Sequence, residues 1–319
     1  MDCMNRKLQI VYGDVTLGLH GEDFHYIFSY QTGGLESLVV QGKEWLYRTP
    51  KPTFWRATTD NDRGSKFSFR SGMWLGADLF LNCKEIAVSI DDEQIALPIA
   101  PNNNRYQKQE YAQKVNICFE YETITIPSTT IKVSYEVNVF GKIRVDVCYK
   151  GKEGLPELPA FGMRFIMPTK AVKYRYEGLS GETYPDRKDG AVKGIYEIEG
   201  LPVTPYIVPQ ECGMHMETEW VEIYRNTVLD SRNKDTELTA LKFKAIDKKF
   251  AFSCLPYTAE ELENATHQEE LPPARRTVLC IMGAVRGVGG IDSWGTDVEQ
   301  AYHIDAANDI CYSFEIQMR

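Results

Sequence analysis

Three segments of this 319-residue chain carry residue types and spacings that could do chemistry. In the first, Thr277-Val278-Leu279-Cys280-Ile281-Met282-Gly283 is followed by Gly287, Gly289 and Gly290, which superficially resembles a strand running into a dinucleotide-binding loop. The next residues, Ile291-Asp292-Ser293-Trp294-Gly295, cannot open a helix, so a pyrophosphate would have no helix N-terminus to sit on. These glycines instead let a loop turn sharply and bring its backbone close to something. In the second, Asp60-Asn61-Asp62-Arg63-Gly64 has the look of a calcium loop, but its glycine stands fifth rather than sixth and no Glu stands twelfth. The plainer expectation is a turn in which Asp60 and Asn61 accept backbone N–H groups, set against a place at the edge of a site. The third candidate is the scattered set of five histidines, His20, His25, His215, His267 and His303, which shows no zinc-binding spacing; His215 and His267 lie near acidic residues, and each is expected as a surface or hydrogen-bonded histidine rather than a general base. No G-x-S-x-G nucleophile elbow occurs, and Asn264-Ala265-Thr266 is a glycosylation acceptor only in a secreted protein.

The elements that must position these residues are strands. Ile131, Val133, Tyr135, Val137 and Val139 alternate with polar residues, and after Phe140-Gly141-Lys142 the alternation resumes at Ile143, Val145, Val147 and Tyr149, which predicts a β-hairpin. Val115, Ile117, Phe119 and Tyr121 repeat the pattern upstream, and shorter β-like runs fall at 161–167, 219–224, 238–243, 250–254, 277–282 and 312–317. Helical periodicity is sparse; the best candidate is 258–267, with Thr258 as its cap. Many strands and few helices predict an all-β protein of large antiparallel sheets and exclude a Rossmann fold or a (β/α)₈ barrel. With no linker and no repeat, 1–319 reads as one domain, the Pro101-Asn102-Asn103-Asn104 stretch being a polar loop within it.

Composition narrows the partners. A net charge of −9 without a basic run argues against nucleic acid, whose phosphates need clustered Lys and Arg. No apolar run approaches the roughly 20 residues of a membrane span and no signal-peptide core follows Met1, so the expected location is the cytosol. Eight cysteines scattered singly show no C-x-x-C spacing, and most are expected as reduced thiols.

Four ordered segments match a family. Phe54-Trp55-Arg56-Ala57-Thr58-Thr59-Asp60-Asn61-Asp62-Arg63-Gly64 resembles the F-W-R-A-P-T-D-N-D-x-G signature of the small-chain, or C-terminal, domain of bacterial β-galactosidases of glycoside hydrolase family 2. Gly181-Glu182-Thr183-Tyr184-Pro185-Asp186-Arg187, 204–213 (Thr-Pro-Tyr-Ile-Val-Pro-Gln-Glu-Cys-Gly) and 287–295 (Gly-Val-Gly-Gly-Ile-Asp-Ser-Trp-Gly) resemble the family's later motifs, and Thr32-Gly33-Gly34-Leu35 an earlier one. Departures are Ser180 for Pro, Thr183 and Cys212 for Asn, and Ile291 for the first Asp of a D-D pair.

The resemblance implies a galactose-mutarotase-like supersandwich and a role beside retaining glycosidase chemistry. That chemistry needs two carboxylates about 5–5.5 Å apart, which in the family lie on a barrel this chain lacks. With the chain beginning just before the domain does, it looks like the small subunit of a heteromeric β-galactosidase whose large subunit carries the catalytic glutamates. The implied roles are then substrate binding by Trp294, Ser293 and Asp292, an active-site loop at Asp60, Asn61, Asp62, Arg63 and Gly64, no catalytic and no metal-binding residue in this chain, and magnesium and sodium held by the large subunit. Two alternatives stay open: an autonomous aldose mutarotase-like epimerase, which would need a His/Glu pair, and a non-catalytic carbohydrate-binding or structural subunit.

Overall fold

The computed structural model describes residues 6–99, 110–230, 232, 234–292 and 295–319; Ser293, Trp294 and the Pro101–Asn104 loop lie outside the described residues. The sequence's period-two runs become antiparallel strands in three sheets. Strands β1 (Leu8–Tyr12), β2 (Thr16–His20), β3 (Phe24–Ser29), β4 (Gly34–Val40) and β5 (Lys43–Glu44) form a meander, and β9 (Tyr111–Ala112) pairs with β1. A five-stranded sheet has the order β16 (Met214–Thr218), β19 (Phe250–Leu255), β20 (Thr277–Val285), β13 (Ala160–Met167), β6 (Arg48–Thr53). The ten-stranded sheet has the order β15 (Lys193–Glu199), β14 (Lys173–Leu179), β17 (Trp220–Arg225), β18 (Thr239–Ile246), β21 (Ile310–Met318), β12 (Ile143–Tyr149), β11 (Thr130–Asn138), β10 (Lys114–Glu122), β7 (Asn82–Ile90), β8 (Glu93–Ile95).

The predicted hairpin is β11–β12, in the register Ile131↔Tyr149 to Val137↔Ile143, with Gly141 at φ +73° in its turn. Every apolar member of the alternation on β10, β11 and β12 is buried, which is what pins the register: a one-residue slip would turn the whole set into water. Their inner face is covered by both smaller sheets. Phe28 of β3 packs 5.5 Å from Tyr135, and Phe161 of β13 packs 5.4 Å from Tyr149, so one continuous core draws on all three sheets.

Three short α-helices punctuate the described residues: α1 (Asp60–Gly64), α2 (Phe67–Arg70) and α3 (Ala259–Asn264). The last is the predicted helix, shorter than expected, and Thr258 caps it with Glu261 answering in a capping box. One cysteine pair departs from the expectation of reduced thiols. Cys148 on β12 and Cys311 on β21 face each other in register and form a disulfide across 163 residues of sequence, while Cys83, Cys118, Cys212, Cys254 and Cys280 are free.

Candidate functional site where four motifs meet

Strands β6 and β20 are both antiparallel to β13, which lies between them, so they run the same way and their C-terminal ends emerge at the same edge of the sheet on either side of the start of β13. One leads into Phe54–Asp62, the other into Arg286 and the glycine loop. Here the aspartate run is not the turn expected. It is helix α1, opened by Thr59, whose hydroxyl accepts from Asp62 N while Asp62 Oδ2 accepts from Thr59 N at 2.9 Å. The residue that holds this geometry is thus Asp62, rather than Asp60 or Asn61: Asp60 N donates to Gln210 Oε1 at 2.9 Å, and Asn61 Nδ2 donates to Asp292 O at 3.3 Å.

Asp62 is 2% exposed and sits between two buried guanidinium groups. Arg56 grips it through both oxygens at 2.6 and 3.2 Å, and Arg286 reaches Oδ1 at 3.3 Å. Arg286 also pairs with Glu157 and Asp297 and lies 4.0 Å over the Phe67 ring. Two cations and several carboxylates removed from water stabilise only when each is fully engaged, and this network meets that condition everywhere except Arg56 Nε, which has no hydrogen-bond partner. Arg56 Nη2 donates to Gly287 O at 2.9 Å and so ties the network to the glycine loop.

The glycine loop does come close to something. Gly295 has φ +100°, and a Cβ there would stand 2.5 Å from Gly64 Cα, so the loop backbone lies directly on the end of α1. Asp292 accepts from Thr296 N and Oγ1 at 3.2 and 2.5 Å and so ties the two ends of the 292–296 stretch together. Asp186 holds the loop's other limb, accepting from Val288 N at 3.0 Å and Gly289 N at 2.8 Å. Glu182 Oε2 accepts from Thr204 Oγ1 and Gly213 N, both at 2.9 Å, and Arg63 Nη2 donates to Pro209 O at 3.1 Å.

All four motifs are therefore bonded to one another, and they enclose a cavity of about 270 Å³ lined by Thr59, Asn61, Glu182, Tyr206, Glu211 and Gly289, among others. That is just under the roughly 300–1,000 Å³ of small-molecule pockets. Ile207 and Ile291, the latter standing where the family pattern has Asp, are exposed on the same loops.

Sequence reasoning missed Arg286 and Glu211. Glu211 is buried, receives a long hydrogen bond of 3.4 Å from Tyr184, and burial pushes its carboxyl from 4.5 up to about 7 against the pull of Arg56. The folded state holds its proton between those values and the unfolded state does not, so its neutral form contributes stability that is complete below about pH 4.5 and lost as pH rises through about 7. Relative to the parent, Glu211→Gln should gain stability across that window, by at most roughly 3 kcal/mol. Urea denaturation of both proteins at pH 5 and pH 8 checks this; a pH-independent difference contradicts it. His215 cancels in that comparison. It is buried, its carbonyl partner Gly181 O at 2.7 Å places the proton on Nδ1, Nε2 accepts from Tyr174 Oη at 3.1 Å, and burial lowers it to about 4.

No group of three or more His, Cys, Asp or Glu among the described residues is placed to hold a metal ion. Glu157 and His303 do form a His/Glu pair at 3.0 Å, but Glu157 also binds Arg286 and His303 Nε2 donates to Val298 O, so the pair braces the network. No helix of the described residues is long and apolar enough to cross a membrane.

Comparison with known proteins matches residues 20–316 to the family described as "Beta galactosidase small chain". The "Beta-galactosidase small subunit" of Latilactobacillus sakei is 64% identical over 312 residues, covering 98% of both chains. "Beta-galactosidase" proteins of Halalkalibacterium halodurans and Streptococcus thermophilus are 34% and 32% identical over 97% of this chain, which spans only 28% of either relative. Among solved structures, a "Putative aldose 1-epimerase" from Escherichia coli K12 aligns over 97% of this chain and 98% of its own, with 11% identity and a TM-score of 0.43.

Proposed function

Because this chain belongs to the β-galactosidase small-chain family, we propose that it is the small subunit of a heteromeric β-galactosidase and completes an active site whose catalytic glutamates stand on a larger chain. One observation carries the reading: the same stretch is a whole small subunit in one relative and 28% of a much longer β-galactosidase in others. The substrate is a terminal β-D-galactosyl residue of a lactose-type β-galactoside, hydrolysed with retention in the cytoplasm.

Three carboxylates of this chain, Asp60, Glu182 and Glu211, line the cavity, and each has a partner within the chain; Asp60 Oδ1 accepts from Arg63 Nη1 at 3.0 Å. Glu182 Oε2 is held by Thr204 and Gly213, and Glu211 is buried beneath Tyr184. The chain's own contribution is binding and shape. Trp294 offers a flat apolar face to the C–H groups of the galactosyl ring and an indole N–H to its oxygens. Ser293 and Asp292 precede it in the chain, Asp60 and Asn61 of α1 line the cavity, and Arg63 braces Asp60 and Pro209 O. Magnesium and sodium, which the family resemblance implies, would be held by the larger chain. When bound there they supply charge that positions the sugar hydroxyls and the catalytic carboxylates.

Trp294→Ala is the variant that tests this chain's share. In the reconstituted complex it should lower kcat/KM at least tenfold with complex formation unchanged, the loss of a stacked aromatic contact of about 1.4 kcal/mol or more. A variant that unfolds, or one that binds the larger chain and turns over normally, contradicts the substrate role.

A further inference from the structure

The segment just after α1 exposes an unusual amount of apolar surface. Between residues 69 and 80, Phe69 is 89% exposed, Leu79 61% and Phe80 63%, with Met73 and Leu75 also in solvent. Ile126, 81% exposed, joins them through its N–H to Met73 Sδ at 3.4 Å. This is no frayed strap. Phe67, Trp74 and Ala77 of the same segment are fully buried, Trp74 Nε1 donates to Pro156 O at 3.0 Å, Arg70 pairs with Asp297 at 2.5 Å, and Asp78 pairs with Arg164. The apolar groups are therefore presented on a fixed platform, and a partner would pay little ordering entropy to meet them. Several large apolar side chains left in water on one firmly held segment, with charge beside them, are what an interaction site presents.

The rim is a cavity of about 400 Å³ beside Leu79 and Tyr47. Arg48, Arg275 and Arg276 line it together with Glu260 and Glu261; Glu260 is engaged by Arg164 at 3.0 Å and Glu261 by Thr258 N at 2.7 Å, which leaves those three guanidinium groups to face outward charge. The relatives point to what covers the platform: in those of which this chain spans 28% the same stretch is joined to a much longer remainder, whereas the 64% identical relative is a small subunit by itself, to which that remainder would come as a second molecule.

We propose that the platform of Phe69, Met73, Leu75, Leu79, Phe80 and Ile126 is the docking surface for the larger, barrel-bearing β-galactosidase chain, whose matching surface is apolar with acidic side chains facing Arg48, Arg275 and Arg276. The inference rests on the function proposed above and adds where the two chains meet. The Arg70–Asp297 pair links the platform to the glycine loop, so docking there sets the position of that loop.

The test measures the affinity of the full chain for the large β-galactosidase chain of the same organism by biolayer interferometry. The triple variant Phe69→Ser/Leu79→Ser/Phe80→Ser should bind about 100-fold more weakly. Val192→Ser/Ile195→Ser, on and beside the β15 edge of the ten-stranded sheet, should bind like the parent. Hydrogen exchange of the unsubstituted chain provides a measurement independent of variant folding: amides 67–81 should gain protection in the complex. Parent-like affinity of the triple variant, equal weakening by both variants, or unchanged exchange at 67–81 would overturn the docking face while leaving the subunit reading intact. Failure of the parent chain to bind would overturn both.

Discussion

Asp62→Ala should destabilise the chain by roughly 3–5 kcal/mol, the range for removing one partner of a buried ion pair. The carboxylate is 2% exposed and answers two guanidinium groups, Arg56 at 3% and Arg286 at 0% exposure. Alanine would leave both cations in the interior with half their compensation gone, and would also remove the acceptor that closes the capping box at Thr59. Arg286 keeps Glu157 and Asp297, whereas Arg56 keeps only carbonyl oxygens, so the damage should centre on Arg56 and on the α1 end of β6. Asp62→Asn retains an acceptor oxygen and loses the charge, and should fall between parent and alanine. Urea unfolding monitored by tryptophan fluorescence gives both values; a loss under 1 kcal/mol for Asp62→Ala would mean that the network contributes little to the fold.

The second large effect is on activity. Gly295→Ala places a methyl group where Gly64 Cα already stands, 2.5 Å away, and does so at a φ of +100° that L side chains rarely adopt. Neither atom is the end of a flexible side chain, so the conflict can be relieved only by moving the loop off α1. The loop is held elsewhere by Asp186 and Asp292, so the core should survive with a small change in melting temperature. Trp294 is the neighbouring residue, and a displacement of about 1 Å at a substrate-positioning group is worth on the order of 100-fold in rate. The reconstituted enzyme carrying Gly295→Ala should therefore lose about that factor in kcat/KM. Activity within threefold of the parent would show that the approach of loop to helix does not position the substrate.

How far the sequence discloses this arrangement depends on whether the cause is local. The β11–β12 hairpin and β10 are fully legible because one-sided burial writes itself as period two. Strand β13 is legible as β but not by alternation, since seven of its eight residues are buried. Helix α1 had a signal that goes unread beside the calcium-loop comparison: the Thr59-x-x-Asp62 spacing is the same kind of capping pattern that correctly places Thr258 and Glu261 at α3. The two features that sequence spacing cannot show are long-range. Arg286 meets Asp62 across 224 residues, and Cys148 meets Cys311 across 163, each pair brought together only by sheet order. The four motifs were recognisable one by one through family resemblance; that they bond to each other around one cavity is information the fold alone supplies.

The central claim is that this chain finishes a site it cannot build. The most direct measurement is hydrolysis of o-nitrophenyl β-D-galactoside by the purified chain alone, by the large chain alone, and by the large chain titrated with this one. Activity should be absent in this chain alone and should rise on titration to a plateau at a fixed molar ratio. Turnover by the isolated chain, or a large chain already fully active and indifferent to its addition, would contradict the account.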